Sequence, residues 1–346
     1  METMDVSVVI PTFNRPEFLQ ETLESVLAQS RPAREIIVVD NGTGPETARL
    51  LERYGNRVVQ IKIDPVGQQA ARNSGIAAAT STWVAFLDDD DLYRPTFLES
   101  VGHAIEDGRA NMIVTDHRKF AHPMVRTDIG KKTNAEMAPE GYWDGVSRPE
   151  NGQEWSYIGS FPPERLLRFN AFYPSTMVLR KDLLELFGGF DPSVRGINTE
   201  DLEFTCRALP AARLAFVWKD LVDYRVHPFN TSGDWIAQRF GRWRIFEFVR
   251  EKNAHGSAAL HEALEANLPE RRRSVFDVAF LYLRFDVVVE AAARLSPKDW
   301  TLKRRLMMRI ATLPRPLTRP LVSVEDRLLR MIRVSRTRIA AWREAP

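Results

Sequence analysis

The first 120 residues alternate short apolar runs with amphipathic stretches. The apolar runs are VSVVIP from Val6, EIIVVD from Glu35, VVQIKI from Val58, WVAFLD from Trp83 and MIVTD from Met112. Between them, apolar side chains recur at helical spacing, as in PEFLQETLESVLAQS, where Pro16 suits a first helical turn. Short continuous strands separated by helices are typical of a parallel sheet covered on both faces. The pattern therefore predicts an α/β fold with a mostly parallel sheet.

This alternation stops between Ala121 and Ser160. The segment KKTNAEMAPEGYWDGVSRPENGQEW is rich in Gly, Pro and Trp, and it predicts a long functional loop or lid and no packed element. Strand and short-helix patterns resume through RLAFVWKDLVDYRVH, and beyond Asp234 the chain is predicted to be helical to its end. We therefore expect an α/β domain over residues 1–232 and a helical C-terminal region over residues 233–346.

Composition indicates an ordinary globular protein in a reducing compartment. The chain has 346 residues, of which 44% are hydrophobic, and its one cysteine, Cys206, cannot form an internal disulfide. The N-terminus METMDVSVVIPTF lacks the basic start and long apolar stretch of a signal peptide. The most apolar long segment, from Phe276, is interrupted by charged residues, so no transmembrane helix is predicted. These features favour a cytoplasmic location.

The net charge of +2 conceals a basic tail. Residues 296–346 carry 13 lysine and arginine residues against 4 acidic ones, while the rest of the chain carries 35 against 42. The tail interleaves cationic and apolar residues at helical spacing: Arg304, Arg305, Arg309, Arg327, Arg330, Arg333, Arg336 and Arg338 with Leu306, Met307, Ile310, Leu328, Leu329, Ile332 and Ile339. Such helices lie on anionic lipid headgroups or pack on their own domain. Nucleic acid is disfavoured, because the acidic remainder would repel it.

Four consecutive aspartates, Asp88 to Asp91, follow the apolar run WVAFL. Neighbouring carboxylates repel one another unless a cation or a hydrogen-bond donor compensates them. In parallel sheets, ligands bind beyond the carboxyl ends of the strands. Asp40 ends the strand IIVVD and Asp88 ends the strand VAFLD, so we expect both carboxylates to face one crevice.

Several acidic or nucleotide-binding motifs do not fit. Tyr93 stands where a calcium-binding EF-hand loop needs glycine, and DDDDLYRP lacks the residues that follow the paired aspartates of haloacid-dehalogenase phosphotransferases. No GxxxxGK[ST] sequence exists, and Thr47 replaces the third glycine of a dinucleotide fingerprint. One cysteine and six scattered histidines show no zinc-ligand spacing. A hard divalent cation that bridges nucleotide phosphates and a solvated acidic loop both remain open.

The chain resembles the inverting family 2 glycosyltransferases, which have a GT-A fold. The resemblance covers roughly the first two thirds of the chain. It is carried by motifs in the expected order: VSVVIPTFNR, EIIVVDNGT, ARNSGI, FLDDDD as the DXD motif, GGFD, TED and YRVHPFNTS. The resemblance implies a GT-A catalytic domain, followed here by the helical region.

The resemblance also implies roles for individual residues. Binding of the nucleotide is expected from Pro11, Thr12, Asp40, Arg72, Asp88 and Asp89, and metal binding from Asp88, Asp90 and His227. Asp89 and Asp91 depart from a plain DXD motif, which leaves the ligating oxygens open. Asp201 matches the catalytic base, while Glu200 and Gly189 are expected to bind the acceptor. Glu200 and Asp201 would equally suit the first turn of a helix, because acidic residues favour its dipole there.

These residues predict a metal-dependent, single inverting displacement. A divalent cation, Mn²⁺ or Mg²⁺, would neutralise the departing nucleoside diphosphate, and a carboxylate would take the proton of the acceptor hydroxyl. We expect a UDP-sugar donor, a glycan or lipid-linked acceptor, and possible attachment to the inner face of the membrane. The alternatives are a sugar nucleotidyltransferase and a membrane-docked, nucleotide-sugar-binding scaffold without turnover.

Overall fold

The structure is a computed structural model that describes residues 5–42, 44–122, 132–150, 152–227, 230, 234–252 and 256–313. The chain divides into two compact units, Met1–His261 and Glu262–Pro346. The predicted domain boundary after residue 232 stays a prediction. Most of the basic tail, including Arg327 to Arg338, lies outside the described residues.

The first unit is built on one curved sheet. Its strands are β1 (Val6–Thr12), β2 (Glu35–Asp40), β3 (Val59–Lys62), β4 (Trp83–Phe86), β5 (Leu92–Tyr93), β6 (Met112–Ala121), β7 (Trp155–Gly159), β8 (Met177–Arg180) and β9 (Leu214–Val226). They run in the order β3-β2-β1-β4-β8-β6-β9-β5, and β7 pairs with β9. The pairs β1–β2, β2–β3, β1–β4 and β6–β9 are parallel, whereas β8 lies antiparallel between β4 and β6. The expected α/β fold with a mostly parallel sheet is confirmed.

Helices connect these strands, as the alternation in the first 120 residues predicts. They are α1 (Pro16–Leu27), α2 (Pro45–Glu52), α3 (Gln68–Ala78), α4 (Phe97–Glu106), α5 (Asn134–Met137), α6 (Lys181–Phe187), α7 (Glu200–Ala208) and α8 (Trp235–Lys252). Of these, α5 lies in the segment predicted to be a loop. Pro16 begins α1, where its missing N–H has no helical partner to lose. An alanine Cβ at Gly75 of α3 would lie 2.2 Å from Cγ1 of Val9 on β1. Glycine therefore lets this helix pack close to the sheet.

The core lies between the sheet and its helices. Every residue of β1 and β4 is buried, and one cluster joins these strands to apolar side chains of α1 and α4. By contrast, β3 is a mostly exposed edge strand. The long apolar runs of the inner strands thus follow from burial on both faces.

The prediction of an unpacked loop was wrong for the described part of residues 121–160. Strand β7 pairs antiparallel with β9 from Trp155 to Gly159, and the side chain of Tyr142 is fully buried. Trp143 packs within 5 Å, ring centroid to centroid, of Phe216 and of Trp218 on β9. The aromatic residues that interrupt the polar sequence therefore anchor this segment to the sheet.

The second unit is helical where it is described. It contains most of α9 (Ala258–Leu281), then α10 (Phe285–Ala292) and α11 (Leu302–Ala311). Arg304 of α11 donates to both carboxylate oxygens of Asp277 on α9, with distances of 3.0 and 2.7 Å. Arg273 pairs with Asp299 at 2.9 Å. None of the described helices combines the length and the apolar content that a bilayer-spanning segment needs.

Candidate active site

The strand ends bring the predicted nucleotide-binding residues to one edge of the sheet. Thr12, the last residue of β1, lies in register with Asp40, the last residue of β2, and Pro11 precedes it in the same strand. Asp88 follows β4, which pairs with the other side of β1. The side chains of Thr12 and Asp40 are both buried. The sequence expectation that Asp40 and Asp88 share an edge is therefore met by the topology.

Asp91 has a structural role that the sequence did not separate from the others. Its Oδ2 accepts a hydrogen bond from the Ser175 hydroxyl at 2.6 Å, and its Oδ1 accepts one from the backbone N–H of Arg225 at 3.0 Å. Burial raises the pKa of Asp91 well above its usual range, and the charges of Asp90 and Asp88 raise it further. This carboxyl joins the acidic loop to β9 and to the turn before β8.

Asp89 points back toward the end of β1. Its Oδ2 accepts from the Thr12 hydroxyl at 2.7 Å and from the Phe13 N–H at 3.3 Å, while Arg15 reaches its Oδ1 at 3.3 Å. Burial, and then the charge of Asp90, raise the pKa of Asp89 to about 7, although Arg15 and Thr12 oppose this shift. Asp89 thus holds the Thr12–Arg15 segment against the acidic loop.

Asp90 contacts the predicted histidine. Its Oδ2 lies 3.0 Å from Nε2 of His227 and 2.6 Å from Nη1 of Arg15. Burial alone would raise the pKa of Asp90, but the hydrogen bond with His227 and the charge of Arg15 outweigh it and hold the pKa below its ordinary value. Asp90 is therefore held in its anionic form beside the imidazole of His227.

Arg72 connects the two halves of the site. Its Nη2 donates to Oδ1 of Asp88 at 2.6 Å, and its Nη1 lies 3.9 Å from Oε1 of Glu200. The guanidinium is almost fully buried over the ring of Phe190, and its Nε and Nη1 have no hydrogen-bond partner in the described part of the chain. Gln68 also donates to Oδ1 of Asp88, at 3.0 Å. Buried donors without partners are costly, so they point to a missing acceptor.

Asp201 lies in the first turn of α7, as the sequence allowed. Its Oδ2 accepts from Nδ2 of Asn170 at 3.0 Å. Burial, followed by the charge of Glu200, raises the pKa of Asp201 to about 7, against the opposing charge of Arg72. Burial also raises the pKa of Glu200. Like-charge repulsion by Glu200 therefore raises the pKa of Asp201, but burial is the larger cause.

Gly189 follows α6, which ends at Gly188 in the left-handed conformation. Gly189 is left-handed as well, with φ of +71°, and an added Cβ would lie 2.5 Å from Oδ1 of Asn73. Asn73 in turn bridges the backbone of Phe190, accepting from its N–H at 2.8 Å and donating to its carbonyl at 2.7 Å. The left-handed backbone at both positions explains why glycine stands there. Acceptor binding by Gly189 stays a prediction.

The predicted metal ligands fit a divalent cation in part. In the regions that the structure describes, no three His, Cys, Asp or Glu side chains are arranged to hold a metal ion. Asp90 and His227 nevertheless supply a carboxylate oxygen and an imidazole nitrogen 3.0 Å apart. Magnesium is often held by one or two carboxylates together with substrate phosphates and water. The donor chemistry therefore fits such a cation, with the phosphates as further ligands.

Sequence reasoning missed several partners of the predicted residues. They are Arg15, Gln68, Asn170, Ser175 and Arg225. Arg15 stands in the quoted motif VSVVIPTFNR, so its position directly after β1 was an available signal. Arg225 likewise stands in the quoted motif YRVHPFNTS, although its partner Asp91 lies 134 residues away. Asn170 carries no such signal, because it lies outside the quoted motifs and its partner is 31 residues away along the chain.

Fold and sequence comparisons define the class of this protein. A family model described as glycosyl transferase family 2 matches residues 7–172. A glycosyltransferase of Rickettsia prowazekii, RP339, is 33% identical over 235 residues, which is 67% of each chain. This chain belongs to glycosyltransferase family 2.

Other relatives carry the same description at lower identity. The uncharacterized glycosyltransferase YwdF of Bacillus subtilis is 27% identical, over 74% of this chain and 86% of its own. The putative glycosyltransferase EpsH of the same organism is 28% identical, over 79% of this chain and 72% of its own.

Among solved structures, Staphylococcus aureus TarS has the same fold. Its fragment 1–349 in complex with UDP-GlcNAc matches with a TM-score of 0.57 at 16% identity, covering 89% of this chain and 79% of that fragment. The complex of the fragment with UDP matches with a TM-score of 0.54 at 18% identity, covering 79% of this chain and 72% of the fragment.

Proposed function

We propose that this glycosyltransferase moves a sugar from a UDP-sugar to a hydroxyl of a glycan or lipid-linked saccharide by a single inverting displacement. The observation that carries the proposal is the position of Arg72. One guanidinium lies within 2.6 Å of Asp88 on the nucleotide side and 3.9 Å of Glu200, the neighbour of Asp201. The donor and the acceptor can therefore both bind next to the guanidinium of Arg72.

The nucleotide side would bind the donor through the strand ends. Pro11, Thr12 and Asp40 would contact the nucleobase, since Asp40 can accept from an imide N–H of uracil. The free Nε and Nη1 of Arg72 would donate to the diphosphate, and charge-assisted bonds of this kind are among the stronger ones. The TarS complexes with UDP and UDP-GlcNAc support a uridine nucleotide.

Asp90 and His227 would hold a divalent cation, with Asp88 beside them. The cation, when bound, supplies charge neutralisation for the phosphate that leaves. Arg15 now donates to the Oδ2 of Asp90, so it occupies the same carboxylate. Arg15 would have to move aside from that oxygen, after which its guanidinium would be available to the donor.

Asp201 would act as the general base. The acceptor oxygen forms a bond to the anomeric carbon while the bond from that carbon to the phosphate breaks, and the hydroxyl proton passes to Asp201. A base works best when its pKa lies near the working pH. Asp201, with a pKa raised to about 7 by burial and by Glu200, meets that condition.

Two other functions remain as alternatives. A sugar nucleotidyltransferase would release pyrophosphate, and it would need a glycine-rich basic loop after β1, where this chain has TFNRPEF. A binding scaffold without turnover would bind UDP-sugars and leave them intact. Measuring UDP, pyrophosphate and sugar release with and without Mn²⁺ separates the three.

The first experiment is a thermal-shift screen of nucleotide sugars with and without Mn²⁺. A ligand at 100 times its dissociation constant adds about 2.7 kcal/mol of stability. We expect UDP-sugars to stabilise the wild type and Asp201→Asn equally, but Asp90→Ala to lose the Mn²⁺-dependent part. Asp201→Asn should not transfer sugar, and normal turnover in this variant would exclude the base assignment. The anomeric configuration of the product, read by NMR, tests inversion.

We also propose that α11 contacts an anionic membrane surface. Leu302 and Leu306 lie one turn apart on this helix and are 85% and 60% exposed. Lys303, Arg305 and Arg309 are exposed beside them. An exposed apolar stripe flanked by cations is typical of helices that lie in the headgroup region. Sedimentation with phosphatidylglycerol vesicles should be lost in Leu302→Glu/Leu306→Glu, and binding that is unchanged in this variant would exclude α11.

A further inference from the structure

The turn before α7 has an unusual backbone. Thr199, directly before Glu200 and Asp201, has φ of +71°. A β-branched residue in the left-handed region is strained, and such residues cost about 1–3 kcal/mol unless the surroundings impose the conformation. Thr199 is the N-cap of α7, yet its side chain makes no capping hydrogen bond, and its buried hydroxyl has no partner in the described chain. Among the described residues the turn therefore has the backbone bond from the Leu202 N–H to the Thr199 carbonyl, at 3.0 Å, but no side-chain cap from Thr199.

Helix α8 supplies the missing constraint. An added Cβ at Gly241 would lie 2.2 Å from the carbonyl oxygen of Asn198 and 2.9 Å from its carbonyl carbon. Glycine inside a helix is about 1 kcal/mol less favourable than alanine, so its presence here calls for a packing reason. The close approach of α8 to Asn198 is that reason, because any side chain would push the turn away.

The next residue of α8, Arg242, is buried and interacts electrostatically with the candidate base. Nη2 of Arg242 donates to the carbonyl of Leu166, which ties the side chain to the 3-10 turn Pro163–Leu167. Burial lowers the pKa of Arg242, and the neighbouring Tyr173, Tyr142, Cys206 and Asp201 oppose that shift. Nε of Arg242 has no hydrogen-bond partner among the described residues. A buried cation is thus kept next to the base.

The charged and polar groups that face Asp201 come from several elements. The groups that act on it are Glu200, which precedes it, Arg72 and Asp88 on the nucleotide side, Asn170, which donates to its Oδ2, the backbone of Leu202, and the charges of Tyr173 and Arg242. The backbone position of Asp201 follows directly from the turn at Asn198–Thr199, so a shift of this turn would move the carboxylate relative to Arg72 and Asn170.

We propose that Gly241 and Arg242 of α8 are positioning residues that hold the Asn198–Thr199 turn and orient Asp201. The inference rests on the proposed function, because it assigns α8 a part in the reaction of the preceding domain. The helix that follows the last strand of the sheet is then part of the catalytic machinery.

The main test compares Gly241→Ala with Val249→Ala, which changes a buried residue about two helical turns further along α8. We expect Gly241→Ala to lower kcat at least tenfold more than Val249→Ala, with the KM for the donor and the thermal shift by UDP with Mn²⁺ unchanged. Equal kcat in the two variants would overturn the inference.

A second test uses charge and does not need turnover. The difference in thermal stability between Asp201→Asn and its parent, followed against pH, reports the pKa of Asp201. We expect the pH at which this stability difference changes to be higher when the parent is Arg242→Met, and to be unchanged when the parent is Arg242→Lys. A change at the same pH in both, with normal kcat, would overturn the role of Arg242. If the wild type neither binds UDP nor releases sugar, the proposed function fails. The pH dependence of the stability difference still tests the role of Arg242 in that case.

Discussion

Replacing Asp201 by asparagine should make the protein more stable at neutral and alkaline pH while it removes activity. In the fold, burial and Glu200 raise the pKa of this carboxyl to about 7. In the unfolded chain an aspartate titrates near a pKa of about 3.9. The folded protein therefore binds the proton more tightly. Stability contributed by protonated Asp201 is present below pH 4 and is lost as the pH rises to 7.

The magnitude follows from the difference between these pKa values. About three pKa units at 1.36 kcal/mol each correspond to ~4 kcal/mol. Asp201 keeps some solvent exposure, so solvent screens part of this free energy. We therefore expect Asp201→Asn to stabilise the fold by about 2 kcal/mol or more at pH 8. An asparagine of the same shape carries no charge and can still accept from Asn170, which now donates to Oδ2 at 3.0 Å. The gain should raise the melting temperature by about 4 °C or more at pH 8.

The assay is thermal unfolding of both proteins between pH 4.5 and 8. The difference between the two melting temperatures should be smallest at the acid end and should grow until the pH reaches about 7. Asp182→Asn is the matched control, because the hydrogen bond from Arg180 lowers the pKa of Asp182 and the sign reverses. A constant difference across the pH range, or a loss of stability at pH 8, would refute the account of Asp201 as a buried, destabilised base.

Three further changes test the site and the fold. Glu200→Gln removes the second cause of the raised pKa of Asp201, so the acid limb of kcat/KM against pH should move to lower pH; an unchanged limb contradicts this. Arg72→Lys loses the 2.6 Å bond to Asp88 and should weaken UDP binding at least tenfold by calorimetry, whereas equal affinity would remove Arg72 from the donor site. Gly75→Ala places a Cβ 2.2 Å from Val9 and should cost about 1–3 kcal/mol in denaturant unfolding, with no cost if α3 can shift.

The sequence by itself determined most of the elements in the first 120 residues and their order, but not β7 or α5. Apolar runs predicted β1, β2, β4 and the first half of β6, and Pro16 predicted the start of α1. These signals are local, because the spacing of apolar residues and the restricted backbone of proline depend only on neighbouring residues. The same logic put Asp40 and Asp88 at one edge of a parallel sheet. The motif order also identified the family, which the comparisons confirm.

Only the tertiary structure distributed the four aspartates among different partners. Asp88 meets Arg72, Asp89 meets Thr12, Asp90 meets His227, and Asp91 meets Arg225, although all four look alike in sequence. These partners are 16, 77, 137 and 134 residues away along the chain. The pairing of β7 with β9 and the approach of Gly241 to Asn198 are likewise contacts between distant segments. Local patterns set the elements, whereas charge compensation and close packing depend on how the sheet and helices come together.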